Sequence, residues 1–290
     1  MKKINYVLKI IPVFICFFSC IGKVENKSNT IPLDTIPENA ISFEYDEKQQ
    51  RAIIIKGTLN DTIPINLFFD TGFSGSRILV SDSLEYFLGS DSCTVQISES
   101  LSLQQRLYYR DSNHIFFKYF GPNTACIGWD FFENKIIKIS YLQKYIQILD
   151  NTEGLDGYNY FPFYSPPYFG VEVEVFVQDK YIKEIVLLDT GANGFVAFNN
   201  DMLEKYGINV DNAQHVQTIS HSYREYRLNA DSIKAGCVLS DKQTVEFLAE
   251  SNNNPYPYSG ILGNDFLENF EIILDFKEYK MYIKPNSLLY

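Results

Sequence analysis

Two aspartates in this chain stand in nearly the same surroundings, and those surroundings suit acid–base chemistry. Leu67-Phe68-Phe69 runs into Asp70-Thr71-Gly72-Phe73-Ser74, and Val186-Leu187-Leu188 runs into Asp189-Thr190-Gly191-Ala192-Asn193. A carboxylate at the end of an apolar strand is costly unless it is hydrogen-bonded or paired. If a two-fold relation brings the two carboxylates together, they cannot both ionise easily, and the pair holds one proton over a wide pH range. One member then serves as base and the other as acid. Such a pair can take a proton from a water attacking a carbonyl while hydrogen-bonding the carbonyl oxygen, with no metal or covalent nucleophile.

Average residue usage makes a single chance Asp-Thr-Gly in a chain of this length roughly a one-in-fifteen event, so two in matched settings point to a shared origin. The matching continues downstream. Ile127-Gly128-Trp129-Asp130-Phe131-Phe132-Glu133-Asn134 aligns with Leu262-Gly263-Asn264-Asp265-Phe266-Leu267-Glu268-Asn269, and each is followed by two strand-like runs, 135–140 with 145–149 and 270–276 with 280–283. The chain is therefore a duplicated unit rather than a solenoid. Within it, Gly72 and Gly191 permit a tight turn and close backbone approach. Gly128 and Gly263 end short apolar runs, as suits a strand passing close to another backbone.

At these residues the sequence resembles the aspartic peptidases, the clan of pepsin-like and retroviral-type enzymes. Asp70-Thr71-Gly72 and Asp189-Thr190-Gly191 are similar to its two active-site triplets, and Ile127-Gly128 and Leu262-Gly263 to the apolar-Gly pairs that accompany them. The likeness spans roughly residues 50–285 and is nearest to a retroviral-type half-lobe duplicated in one chain. It implies a mostly β, bilobal acid-protease-like fold: two pseudo-two-fold-related β-barrel lobes with a cleft between them. It also implies that Asp70 and Asp189 are catalytic, with Thr71 and Thr190 hydroxyls bonding across the lobe interface. Phe73 departs from the pattern, in which a small residue follows Asp-Thr-Gly, and Asn193 stands where Ser, Thr or Asp is common. The family's flap hairpin would fall in 81–123 or 208–258. Leu103 to Tyr109 and Thr218 to Arg227 are its candidates, beside a plain reading of both as sheet surface.

The elements that must position the aspartates are legible as hairpins. Arg51 to Leu59, an Asn60-Asp61 turn and Ile63 to Phe69 lead to Asp70; Val171 to Val177, a Gln178-Asp179-Lys180 turn and Tyr181 to Leu188 lead to Asp189. Arg77 to Val80 and Phe195 to Phe198 read as short strands, and Asp201 to Tyr206 before Gly207 as one or two helical turns.

The amino terminus reads as a leader. Lys2 and Lys3 precede an apolar run, Ile10 to Phe18, too short to cross a bilayer. Phe17-Phe18-Ser19-Cys20 resembles a bacterial lipoprotein processing site, which implies lipidation at Cys20; an ordinary signal peptide with an incidental cysteine is the alternative. Residues 20–40 are polar, with Pro32 and Pro37, and read as a tether, a shortened propeptide being the alternative. The lobes are expected at 41–150 and 168–290, with the Gly-, Asn-, Tyr- and Pro-rich 151–167 as linker.

A chain of 290 residues, 46% hydrophobic, can bury a substantial core. Its net charge of −11, deepened to −14 when three lysines and no acid leave with residues 1–19, speaks against nucleic acid, whose phosphates need clustered cations. His114, His215 and His221 lack the spacing of a zinc hydrolase, and Gly72-Phe73-Ser74-Gly75-Ser76 misses a serine-hydrolase elbow at Ser76. Cys93, Cys126 and Cys237 permit at most one internal disulfide, and Cys126 suits a core position. The combined expectation is a monomeric aspartic-type endopeptidase without cofactor or metal. It is exported, faces the periplasm or cell exterior, meets the membrane only through its lipid, and takes peptide or protein as substrate. The alternative is a lipid-anchored, non-catalytic peptide-binding protein on the same fold.

Overall fold

The computed structural model describes residues 35–45, 51–73, 77–99, 101–164, 169–212, 214–217, 222–236, 238–250 and 258–286. The leader with Cys20, most of the tether, and Ser74, His221 and Cys237 lie outside these. In the first half, β1 (Ile41–Glu44) precedes a hairpin of β2 (Ile53–Leu59) and β3 (Ile63–Asp70). Isoleucines 53 and 55 of β2 point inward and are fully buried, while Ile54 faces the other side, the alternation a sheet with two packed faces requires. Asn60 and Asp61 turn the chain with φ of 47° and 61°, the left-handed pair that matches the strands' own twist. Next come β4 (Arg77–Ser81), α1 (Glu85–Leu88), β5 (Ser92–Ser98), β6 (Leu101–Arg110), α2 (Ile115–Phe120) and β7 (Thr124–Gly128). Strands β8 (Ile136–Ser140), β9 (Tyr145–Leu149) and β10 (Asn159–Pro162) complete this half and the segment read as linker.

The second half repeats the plan. A hairpin of β11 (Gly170–Val177) and β12 (Lys180–Leu188) turns at Gln178 and Asp179, again both left-handed. It is followed by β13 (Val196–Phe198), α3 (Asp201–Tyr206), β14 (Gln214–Gln217), β15 (Ser222–Asn229), β16 (Ser232–Ala235), β17 (Val238–Asp241), β18 (Thr244–Leu248), β19 (Gly260–Leu262), α4 (Asn264–Leu267), β20 (Phe270–Asp275) and β21 (Lys280–Pro285).

Strand order shows the duplication in three dimensions. The first half runs β2-β3-β7-β4-β6-β5, and pairing of Thr58 and Leu59 with Gln96 and Val95 closes it into a six-stranded barrel. The second half runs β11-β12-β19-β13-β18-β15 in the same order. It closes differently: only Ala230 and Asp231 separate β15, paired to β18, from β16, paired to β11. One bent path thus does there what β5 does alone. Strand β8 pairs antiparallel with β20, joining the halves in a sheet β10-β21-β20-β8-β9-β1. Residues 151–167, read as a linker, therefore contain a paired edge strand, with Asn159 to Pro162 opposite Ile283 to Lys280.

Residues 35–290 form one compact unit; a large apolar core runs through both lobes, with a smaller cluster around Phe68 and α2 beside it. Trp129 of the first half packs edge-on against Phe169 and tilted against Phe276, both of the second half. Leu103 to Tyr109, offered as a flap, is instead barrel strand β6, held on both sides by β4 and β5. Between β4 and β5 the first half carries only short helical turns over residues 82–88. Residues 222–227 of the other flap candidate lie in the β14–β15 hairpin; its turn falls outside the described residues.

Candidate active site

Each aspartate is carried to its place by a parallel pairing. Strand β3 lies beside β7 with Asp70 opposite Gly128, and β12 lies beside β19, where the Asp189 N–H donates to Leu262 O at 3.0 Å. On the far side of β7 and β19 run β4 and β13, both antiparallel. The loop after each Asp-Thr-Gly must therefore cross the end of the strand that pairs with it, and the glycine there makes room. A Cβ on Gly128 would fall 2.1 Å from Phe73 O, and one on Gly263 would fall 2.8 Å from both Ala192 O and Gly194 O. Any other residue at either position would push the loop, and the aspartate with it, out of place.

The two loops meet. Asp70 Oδ1 accepts from the N–H groups of Gly72 (2.8 Å) and Phe73 (3.1 Å), and Asp189 Oδ1 accepts from that of Gly191 (2.8 Å). Each glycine also lies flat against the opposite aspartate: a Cβ on Gly72 would come within 2.5 Å of Asp189 Oδ2, and one on Gly191 within 2.6 Å of Asp70 Cγ. The carboxyls hydrogen-bond one another and stay half-buried, keeping an edge open to solvent.

Beneath them the threonines interlock. The Thr71 N–H donates to Thr190 Oγ1 and the Thr190 N–H to Thr71 Oγ1, both at 3.0 Å. Each hydroxyl then donates to the opposite lobe, Thr71 Oγ1 to Leu188 O (2.8 Å) and Thr190 Oγ1 to Phe69 O (3.1 Å). Both threonines are buried, so four hydrogen bonds in a dry setting tie the lobes together immediately below the carboxyls.

The electrostatics follow from this geometry. Burial, and then the neighbouring Asp189 charge and the bond between them, hold the Asp70 carboxyl well above the ordinary aspartate range. Burial also raises Asp189, against the pull of its bond with Asp70 and the N–H groups of Gly191 and Ala192. The pair therefore titrates as a unit that keeps one proton to higher pH than a free aspartate, a state suited to simultaneous acid and base work. Asp130, in the matching apolar-Gly-x-Asp segment, is raised to about 6 by burial with the charge of Glu133 as a minor addition. Its counterpart Asp265 is ion-paired with Arg51.

On the Asp70 side, strand parity puts Phe68, Cys126 and Leu79 on the face that carries the aspartate, and α2 covers them with Phe116, Phe117 and Phe120. Phe73 packs into this aromatic group. On the Asp189 side the corresponding face runs Leu187, Ile261, Ala197, Glu246, Arg227. Glu246 packs against the loop, its Oε2 lying 2.5 Å from where a Cβ on Gly194 (φ 90°) would fall. Sequence reasoning passed over Glu246, α2 and Asn264. For Asn264 a signal was present: it is the one strongly polar residue facing an apolar one, Trp129, inside otherwise matching repeats.

His114 caps α2 and His215 sits exposed on β14. Among the described residues no group of three or more His, Cys, Asp or Glu is placed to hold a metal ion. Cys93 and Cys126 are buried and outside any disulfide, burial raising both thiols.

No family model matches the sequence, and no curated protein matches it. Among solved structures, the chain is similar to the aspartic proteinase from Irpex lacteus, with a TM-score of 0.54 and 12% identity over 86% of this chain and 97% of that one. At that identity the likeness is one of fold, and the fold is mostly β and bilobal, as in that proteinase.

Proposed function

We propose that this protein is an aspartic-type endopeptidase in which Asp70 and Asp189 activate a water to attack a peptide carbonyl. The observation that carries the reading is the contact of the two aspartates across the lobe boundary, each braced by the glycine N–H of its own triplet. One carboxylate removes the water's proton; the protonated partner hydrogen-bonds the carbonyl oxygen and later supplies a proton to the leaving amine. A pair sharing one proton, with an open edge, has what both steps require. The test is a proteome-derived peptide library incubated with residues 35–290 and with the Asp70→Asn and Asp189→Asn variants. Cleavage by the intact protein that both variants lose supports the reading, and cleavage surviving in either one refutes it.

A second reading, a peptide-binding protein without turnover, is favoured by one feature. The first lobe has no hairpin between β4 and β5 to close over a bound peptide, only the turns at 82–88. Retention of library peptides without cleavage by the intact protein would decide for it.

We further propose export, lipidation at Cys20 and attachment to a bacterial membrane by that lipid alone, supported by the leader-like start and the polar tether. Among the described residues no helix is long and apolar enough to cross a membrane. Replacing Cys20 by Ala is expected to move the protein from the membrane fraction to the soluble one; unchanged sedimentation with membranes would remove the anchor from the account.

A further inference from the structure

The two halves of the site are alike in their triplets but not in what stands behind them. Asn264 is fully buried, and every polar group it has is used. Its backbone N–H donates to Ala192 O at 2.9 Å, and its Nδ2 donates to Thr190 O at 2.8 Å and to Arg51 O at 2.6 Å. Its Oδ1 accepts from the Tyr141 hydroxyl at 2.8 Å. Thr190 C=O belongs to the same peptide group as Gly191 N–H, the donor to Asp189 Oδ1. A chain of hydrogen bonds thus runs from Tyr141 through the Asn264 carboxamide and the Thr190–Gly191 peptide into the Asp189 carboxylate. Hydrogen bonds in series polarise one another, so the Gly191 N–H becomes a stronger donor because Asn264 pulls on the carbonyl behind it.

The matching position in the first half is Trp129. Its indole N–H is buried and has no hydrogen-bond partner among the described residues, so this side chain does not polarise the Thr71–Gly72 peptide behind Asp70. We infer that Asn264 is a positioning residue that breaks the symmetry of the dyad, making Asp189 the carboxylate and leaving the shared proton on Asp70. The inference rests on the proposed hydrolytic reading only for its consequence, that Asp189 would be the base toward water and Asp70 the acid toward the carbonyl.

Among the described residues, Asp130 also stands on the Asp70 side, its Oδ1 2.8 Å from where a Cβ on Gly128 would fall, and burial raises it to about 6. Asp70 faces Asp189 directly; Arg51 is paired with Asp265 and Glu268, and Glu268 accepts from the Tyr45 hydroxyl. Burial holds Tyr141 protonated, so it remains a donor. Cys126, on the Asp70 side, is likewise held as the thiol.

The test follows the carboxyl carbon shifts of Asp70 and Asp189 against pH by NMR of aspartate-labelled residues 35–290, with assignments from the two Asn variants. In the unchanged protein, Asp189 should carry the charge over the range in which the pair holds one proton. Asn264→Ala should shrink the difference between the two carboxyls by at least half. Tyr141→Phe, which leaves both Asn264 donor contacts in place, should shrink it less but in the same direction, and it carries the test if the alanine variant does not fold. Peptide turnover, where present, should fall about tenfold in kcat for Asn264→Ala with KM little changed. If Asn264→Ala or Tyr141→Phe lowers only the melting temperature and leaves the difference between the carboxyls intact, Asn264 is structural and the inference is wrong. If the shifts respond while the unchanged protein cleaves nothing, the hydrolytic reading fails and the assignment of charge stands.

Discussion

At the scale of single residues, the dyad makes opposite demands on stability and chemistry. Both carboxyls are raised, chiefly by burial. A carboxyl with a raised folded-state pKa binds its proton more tightly folded than unfolded, so its contribution to stability is lost as pH rises through that value. The same displacement sets the activity profile: a bell, rising as the first proton leaves the pair and falling as the second leaves, with the upper limb above the free-aspartate value of about 3.9. Asp70→Asn and Asp189→Asn are therefore expected to raise the melting temperature at neutral pH relative to the intact protein, and to gain least under acid conditions. Calorimetry at several pH values would show it, and a loss of stability at neutral pH would mean that burying the two carboxyls does not destabilise the fold. Gly191 offers a complementary check. Its Cβ position lies 2.6 Å from Asp70 Cγ, so Gly191→Ala should part the carboxyls and cost at least about 100-fold in kcat/KM, about 2.7 kcal/mol of transition-state stabilisation. Near-normal turnover in that variant would show that the contact is not needed.

At the scale of elements, the Asp189 loop leans on a charge cluster built on β15 and β18. Arg227 on β15 bridges Glu225 of its own strand (2.6 Å) and Glu246 of β18 (3.6 Å). Glu246 is lifted from 4.5 to about 7, first by burial and then by the Glu225 charge, with Arg227 opposing. The displacement corresponds to about 3 kcal/mol of stability, present below the unfolded value and lost as pH climbs toward 7. Because Gly194 rests on this carboxyl, the loss should loosen the loop that ends the second triplet. Glu246→Gln is expected to flatten the fall in melting temperature between pH 5 and pH 8 by several degrees. An unchanged slope would place the titration elsewhere. On the other side the Asp70 loop leans on aromatic rings: Phe68, Phe116 and Phe120 pack edge-on or tilted, their ring centres 5.0–5.6 Å apart.

At the scale of the whole molecule, the lobes are not independent. They share the β8–β20 ladder, one apolar core and the threonine interlock, so separating them would expose a sheet edge and strand buried hydroxyls. Residues 35–290 should accordingly melt in one calorimetric transition, and a fragment of residues 35–150 should lack the near-UV circular dichroism of packed aromatic rings, Trp129 having lost Phe169 and Phe276. Two resolved transitions, or a well-ordered fragment, would contradict this view of the assembly.

What the sequence determined by itself is local and repeated. Hairpin turns at Asn60-Asp61 and Gln178-Asp179, apolar strands ending on Asp70 and Asp189, and glycines at 72, 128, 191 and 263 are each set by short-range rules of sterics and burial, and writing them twice implied the pseudo-symmetry. The strand-like middle segments were harder to place. Leu103 to Tyr109 reads equally as a flap or a barrel strand, because partner strands β4 and β5 decide between them and neither is encoded in its own alternation. Only the tertiary structure showed that β16 closes the second barrel in place of β5, since which edge a strand pairs with is settled by long-range competition. The differences between the two halves of the site also come from packing: a carboxamide at Asn264 and an indole at Trp129 occupy matching places, yet their effects depend on carbonyls and rings brought to them from distant parts of the chain, Thr190 and Arg51 for the one and Phe169 and Phe276 for the other. A duplicated sequence specifies two similar half-sites, and the contacts between the halves make them unequal.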